Sequence, residues 1–206
     1  MKWFTSDLHL NHKNICHGVS EWEGKRGTRD FPDLIQMNVA ILNSINSRVK
    51  EGDTLYILGD FAFGDKSIIP MFRDCIQLQD VRFLYGNHDA AIEAKYQDCF
   101  NNIKGERGNL GYYGETRIAD RSGKKHGVVM FHYNIGGVWN KAGAGYFHIF
   151  GHSHGSMPLN EVKGKAFDIG WDVFQKPLNE HEVCDIMEKI GDNPKLDHHD
   201  EKTSFY

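Results

Sequence analysis

Side chains that bind divalent metals recur along this sequence at short, ordered spacings. Twelve histidines occur in 206 residues, and several stand beside carboxylates or an amide: Asp7 with His9, Asp60, Asn87 with His88 and Asp89, His132, and His152 with His154. Each group lies within two or three residues of the end of a short apolar run. Side chains at strand ends can converge on one crevice although they are far apart in the chain, which is where open α/β sheets build their sites. A set of imidazoles, carboxylates and one amide oxygen suits Mn²⁺, Fe or Zn²⁺ better than Ca²⁺ or Mg²⁺, which favour all-oxygen shells. One ion could not use the whole set. Two cations roughly 3.5–4 Å apart, sharing a carboxylate, would use it and would polarise a water between them.

The elements that must position these residues are legible as runs and stripes. Trp3-Phe4-Thr5, Thr54–Leu58, Val81–Tyr85, Val128–Phe131 and Tyr146–Phe150 read as buried strands. Leu34, Met37, Ile41, Leu42, Ile45 and Val49 share a helical face that Glu51-Gly52-Asp53 ends. Asp89 is placed to cap a helix running to about Phe100, and Asn179 with Glu182 resembles a capping box before the stripe Val183, Ile186, Met187, Ile190. Alternating strands and helices predict an α/β domain. The close spacing of the later runs, 110–118, 128–131, 146–150 and 166–173, leaves little room for crossover helices, so part of the sheet should be antiparallel. The glycine-rich stretches 105–114 and 136–145 read as hairpins or long loops over the site. One domain is expected over residues 1–191, followed by a polar, aperiodic tail over 192–206.

Composition narrows the function classes. A formal charge of −4 gives no basic surface for extended nucleic-acid binding, though a small phosphorylated ligand held by local cations fits. No segment approaches the length of a membrane span and the N-terminus has no apolar leader, so a cytoplasmic protein is expected. Four dispersed cysteines without CxxC spacing read as reduced thiols, some in the core.

Taken in order, Asp7-Leu8-His9, Gly59-Asp60, Gly86-Asn87-His88-Asp89, His132 and Gly151-His152-Ser153-His154 resemble the five motifs of the calcineurin-like metallophosphoesterases, and Phe167–Val173 resembles that family's usual ending. The opening Trp3–Ile15 is similar to small single-domain members from bacteria and phages. The resemblance implies two mixed β-sheets packed as a sandwich flanked by helices. It implies that Asp7, His9, Asp60 and His154 hold one divalent ion and Asp60, Asn87, His132 and His152 the other, with Mn²⁺ foremost and Fe, Zn²⁺ or Ni²⁺ as alternatives. It makes His88 a general acid for the leaving oxygen, its ring oriented by Asp89, with Asn87 and His88 also meeting the substrate. The expected activity is hydrolysis of a phosphomonoester or phosphodiester of small size, such as a nucleotide. The alternative is a scaffold that keeps the fold for protein partners without catalysis. Two departures stand out: Phe63 occupies the place three residues after Asp60 where similar motifs often carry an acid or amide, and Leu10 replaces a small residue.

Several residues allow more than one reading. His132 could be a hydrogen-bonded core histidine, and Asp89 a helix cap. His12, Lys13 and Asn14 could bring donors onto a substrate phosphate or form a solvated loop. Asp168 and Asp172 could bind loop backbone or support a ligand histidine. Tyr112, Tyr113 and Trp139 could stack on a base or pack a hairpin. His148 reads as structural, and His17, His126, His181, His198 and His199 as surface residues.

Overall fold

Each of the five apolar runs becomes a strand, and they divide between two sheets. The computed structural model describes residues 1–16, 29–100, 109–136, 145–157, 162 and 164–190. In the first sheet β1 (Lys2–Thr5), β2 (Thr54–Leu58), β3 (Val81–Leu84) and β4 (Asn109–Gly111) run parallel, and β9 (Leu178–Asn179) pairs antiparallel with β1, giving the order β4-β3-β2-β1-β9. The second sheet has the order β5-β6-β7-β8, from β5 (Tyr113–Ala119), β6 (Lys125–Phe131), β7 (Phe147–Phe150) and β8 (Ala166–Asp168); β5 and β6 are antiparallel, the remaining pairs parallel. Both sheets are therefore mixed, and the expected run 110–118 contains two strands that belong to different sheets.

Burial on both faces explains why β2 reads Thr-Leu-Tyr-Ile-Leu without polar alternation. Leu55 and Ile57 face one apolar cluster with Met37, Ile41, Ile45 and Phe83, whereas Tyr56 and Leu58 face another with Phe4, Val128, Met130 and Ile149. The second cluster joins the sheets, and Val183, Cys184 and Met187 of α5 (Glu180–Ile190) pack into it. A smaller cluster, Val129, Phe150 and Ala166, covers the outer face of the second sheet. Asn179 and Glu182 form a reciprocal pair at the start of α5, each side chain accepting the other's backbone N–H at 2.9 Å.

α2 (Leu34–Asn46) starts at Asp33, whose carboxylate accepts the Gln36 N–H at 2.8 Å. Met37, Ile41 and Ile45 are buried, as their spacing predicts, with Leu34 and Leu42 half-buried beside them. The helix ends a turn before the expected stop. Two short helices without an amphipathic signature also form, α1 (Lys13–Cys16) and α4 (Trp171–Phe174), as does α3 (Ile69–Cys75) with proline in its first turn. The regular helix expected after Asp89 is instead a π turn over Ile92–Tyr96 and a 3₁₀ turn over Gln97–Phe100. The four cysteines are free, with Cys16 and Cys184 buried. Among the described residues no helix is long and apolar enough to cross a membrane. The tail, residues 105–108 of the first glycine-rich stretch and 137–144 of the second, His17, Trp139, His198 and His199 lie outside the described residues.

Candidate metal centre

Parallel strands end on the same side of a sheet, and here that side carries the candidate ligands. The chain leaves β1 into Asp7 and His9, β2 into Asp60, β3 into Asn87 and His88, β6 into His132, and β7 into His152 and His154. The two sheets meet at this edge through the Asp7 carboxylate, whose oxygens both accept the His152 N–H at 3.0 Å, and through His132, whose Nδ1 lies 2.7 Å from the Leu58 carbonyl. The backbone holds unusual conformations to do this. Asp7, His9, Asp60, His152 and His154 all have φ between +45° and +66°, a region that L-residues enter at a cost of about 1–2 kcal/mol. The segment after β1 is kept in place by Asp7 N–H to Gly59 O at 3.1 Å and His9 N–H to Asp60 O at 2.9 Å.

The side chains gather into two trios whose ligand atoms all lie within 4.8 Å of one another: Asp7, His9 and His154, and Asp60, His132 and His152. Asp60 joins them. Its Oδ2 lies 3.5 Å from His9 Nε2 and 3.5 Å from His132 Nε2, while its Oδ1 accepts the His88 N–H at 2.9 Å. Asn87 Oδ1 sits 3.1 Å from His132 Nε2 and 3.0 Å from His152 Nδ1, completing the second group. With bonds of about 2.0–2.2 Å to a cation, neighbouring ligands stand roughly 3–3.5 Å apart, the spacing seen at Asp60. A cleft of about 60 Å³ opens above, lined by His12, Ile15 and His88 as well as ligands from both groups.

Burial and charge test whether cations fit. His9 is 3% exposed, and neither of its ring nitrogens has a hydrogen-bond partner. Leaving a buried polar atom unpaired costs about 1–3 kcal/mol, so an imidazole in this state, kept neutral by burial that pushes it well below its usual value, is a ligand in waiting. Burial raises the Asp7 carboxyl to about 7. Burial acts to lower His132, yet contact with Asp60 and the charge of Asp7 outweigh it and raise the ring to about 9. The buried carboxylates thus draw positive charge inward, a demand that divalent cations meet. The residues fit two such ions.

Comparison with known proteins gives relatives without an assigned function. No family model matches the chain. It is 24% identical over 213 residues to the gene 66 protein of Mycobacterium phage L5, covering 91% of this chain and 94% of that one. It is 30% identical over 194 residues to the uncharacterized protein MJ1445 of Methanocaldococcus jannaschii, covering 91% of each. The chain belongs to the MJ1445 family. A crystal structure of AQ665 from Aquifex aeolicus, a protein of unknown function, shares the fold with a TM-score of 0.57 at 20% identity, covering 90% of this chain and 98% of that one.

In this member of the MJ1445 family the residues left with two readings divide as follows. Asp172 supports a candidate ligand: its Oδ2 lies 2.6 Å from His154 Nδ1. Asp168 serves the loop, accepting Ser153 Oγ at 2.6 Å and the N–H groups of Gly155 at 2.8 Å and Gly170 at 2.7 Å. His132 is fully buried with Nδ1 on the Leu58 carbonyl at 2.7 Å, which leaves Nε2 for the site. His12 lines the cleft and its Nδ1 accepts the Ile15 N–H at 3.3 Å, so the proton of the neutral ring sits on Nε2. His148 is structural, with Val129 O at 3.3 Å and the Ile135 N–H at 3.4 Å. Tyr112 packs, edge to face on Tyr85 at 5.2 Å.

Three expectations are corrected. Asp89 neither caps a helix nor orients His88: its carboxylate accepts the N–H groups of Asp60 at 2.7 Å, Phe61 at 3.1 Å and Gly86 at 2.7 Å, three amides that the turns after β2 and β3 would otherwise leave buried and unpaired. Lys13 is exposed on α1 and does not line the cleft, because the turn of the helix brings His12 and Ile15 there instead. His126 is stacked on Phe147 at 4.8 Å and paired with Asp120 at 3.0 Å, not at the surface. The residue that sequence reasoning missed is Arg29. It is buried, pairs with Asp172, and donates to the Asp7 and Leu8 carbonyls at 2.7 and 2.8 Å. No local pattern marks it; only its distance from any motif distinguishes it from a surface arginine.

Proposed function

We propose that this chain is a metal-dependent phosphoesterase of the calcineurin-like type, acting on a small phosphomonoester or phosphodiester such as a nucleotide. One observation carries the reading: Asp60 Oδ2 stands at the same 3.5 Å from His9, whose ring nitrogens have no partner, and from His132. Asp7, His9, Asp60 and His154 would hold one divalent cation, and Asp60, Asn87, His132 and His152 the other. Mn²⁺ is the first choice, with Fe, Zn²⁺ or Ni²⁺ as alternatives. Such ions, when bound, supply Lewis acidity that screens phosphoryl charge and lowers the pKa of water.

The protein's own residues do the rest. His88 is half-exposed over the cleft with Nε2 4.0 Å from Asp60 Oδ2, where its ring reaches a substrate and can protonate the departing oxygen. The Nε2–H of His12, which also lines the cleft, offers a donor to a non-bridging phosphoryl oxygen. Asn87 and His152 form the more exposed rim by which substrate enters. The negative charge of the chain favours a small ligand over an extended nucleic acid.

The test is hydrolysis of p-nitrophenyl phosphate and bis-p-nitrophenyl phosphate with Mn²⁺, before and after chelation, with bound metal counted in parallel. Metal-dependent turnover and two ions per chain are expected. His88→Ala should keep both ions and lose about 10²–10⁴-fold in kcat. Two missing results together, no metal uptake and no hydrolysis of either ester, would refute the reading and leave a non-catalytic scaffold.

A further inference from the structure

With Asp89 committed to backbone amides, the position of His88 must come from elsewhere. Its own N–H is held by Asp60 Oδ1 at 2.9 Å. Its carbonyl is held by Lys66, whose ammonium donates to His88 O at 3.3 Å and to Ala62 O at 2.7 Å. That one ammonium therefore ties the loop after β3 to the loop after β2. Between them lies Phe63. The Lys66 ammonium sits 5.4 Å from the Phe63 ring centroid, and the His88 ring packs edge to face against the same ring at 5.1 Å. On its other side Phe63 packs at 3.9 Å against His12, and His88 also meets His9 edge to face at 5.6 Å. Besides Asp60, 4.0 Å from its Nε2, the His88 ring thus meets two other rings, and one of them, Phe63, carries the ammonium of a half-buried lysine.

We propose that Lys66 is the positioning residue for His88, fixing the backbone and the Phe63 wall that aim the imidazole at the leaving oxygen. The proposal rests on the general-acid role given to His88 above. Lys66 lies outside the two metal groups and outside the residues lining the cleft, so its removal should leave cation binding intact. A hydrogen bond to an ammonium contributes more than a neutral one and a methionine would fill the aliphatic path, so Lys66→Met removes the two carbonyl bonds and the charge beside Phe63 while keeping the packing.

A general acid matters most when the departing oxygen is a poor leaving group. The experiment compares an alkyl phosphate ester with p-nitrophenyl phosphate as substrates for wild type, His88→Ala, Lys66→Met and Lys66→Arg, each loaded with Mn²⁺, checked for metal content and checked for folding by thermal melt. His88→Ala should lose at least tenfold more on the alkyl ester than on the nitrophenyl ester. Lys66→Met should show the same split at about tenfold, with unchanged metal content, and Lys66→Arg should recover most of it. Equal losses on both esters in Lys66→Met, or none, while His88→Ala keeps its split, would overturn the positioning role and leave the general acid in place. Absence of the split in His88→Ala would instead overturn the general-acid role on which the proposal rests. The order of the His88 ring gives a readout independent of turnover: its side-chain NMR relaxation should show greater motion in Lys66→Met, and identical relaxation counts against the proposal.

Discussion

Arg29 is a cation without water, and its removal should destabilise the fold far more than a surface arginine would. Its side chain is 0% exposed and that of its partner Asp172 2%. The guanidinium meets both Asp172 oxygens, at 2.7 and 2.9 Å, and spends its remaining three donors on the carbonyls of Leu8 and Asp7 and on Met37 Sδ. Trp171 lies 4.8 Å away against its face. Arg29→Met would keep most of the packing but leave a buried carboxylate short of its partner and two carbonyls unpaired. Breaking a buried pair by removing one member costs about 3–5 kcal/mol. For a chain of this size each kcal/mol lowers Tm by about 2–4 °C, so a fall of about 6–20 °C is expected. Asp172→Asn should cost a similar amount. The double variant should cost less than the sum by about 2 kcal/mol, because neither charge is then left alone. Urea unfolding followed by tryptophan fluorescence, in chelator so that ion binding does not add to stability, measures all four proteins. Single variants within about 1 kcal/mol of wild type, or costs that simply add, would refute the view that this pair holds the turn after β1.

Two further predictions concern residues outside the ion pair. Only the neutral form of His148 can donate to Val129 O and accept from Ile135 N–H, and burial lowers its pKa from 6.5 to about 4. The unfolded chain therefore binds a proton between those values and the folded chain does not, so this contribution is present above pH 6.5 and lost as pH falls to about 4. The difference in unfolding free energy between wild type and His148→Gln should shrink by about 3 kcal/mol from pH 7 to pH 4, and a difference that ignores pH would show that the ring titrates alike in both states. At Gly86 an added Cβ would strike Asp60 Oδ1 and come within 2.8 Å of the Asp60 N atom. Gly86→Ala should therefore be less stable than wild type by about 1–3 kcal/mol and lose metal at the Asp60 group; an unchanged melting temperature and two bound ions would argue that Asp60 is free to move.

How much of this was legible in the sequence follows from what each residue depends on. Thr54–Leu58 forms β2 with the expected bounds because a run buried on both faces needs no knowledge of its neighbours. The residues that gather into the two candidate metal groups stood out for the same reason, each standing just past such a run. β9 was not, since two residues at a sheet edge carry no period, and Leu178 and Asn179 pair only because β1 lies beside them. The segment after Asp89 misled because its cap residue is a good helix signal when read locally. The carboxylate is claimed instead by amides from two other turns, one of them 29 residues away. Arg29 and Lys66 were illegible because a basic side chain announces nothing about where its charge goes. Phe63 was noticed as the lack of an acid, and only the packing shows it as a wall shared by His12 and His88.

The backbone at the ligands bears on whether the site is incidental to the fold. Seven non-glycine residues among those described have positive φ, and five of them are candidate ligands. At about 1 kcal/mol or more apiece, this strain is comparable with the lower end of a domain's net stability. The chain uses glycine freely where only a turn is needed, as at Gly52, Gly111 and Gly123, so the lack of glycine at Asp7, His9, His152 and His154 is not a lack of supply. The same device appears twice. Asp7 and His9 both serve one trio, whereas His152 and His154, also two apart, are divided between the trios. Strain of this kind persists when surrounding structure over-determines it, and here the Asp7 carboxylate, the Asp89 carboxylate and the Arg29 guanidinium supply that structure. At His9, whose ring nitrogens have no hydrogen-bond partner among the described residues, glycine would relieve the strain without costing a hydrogen bond, and the imidazole standing there instead supports the proposal that this side chain serves a cation.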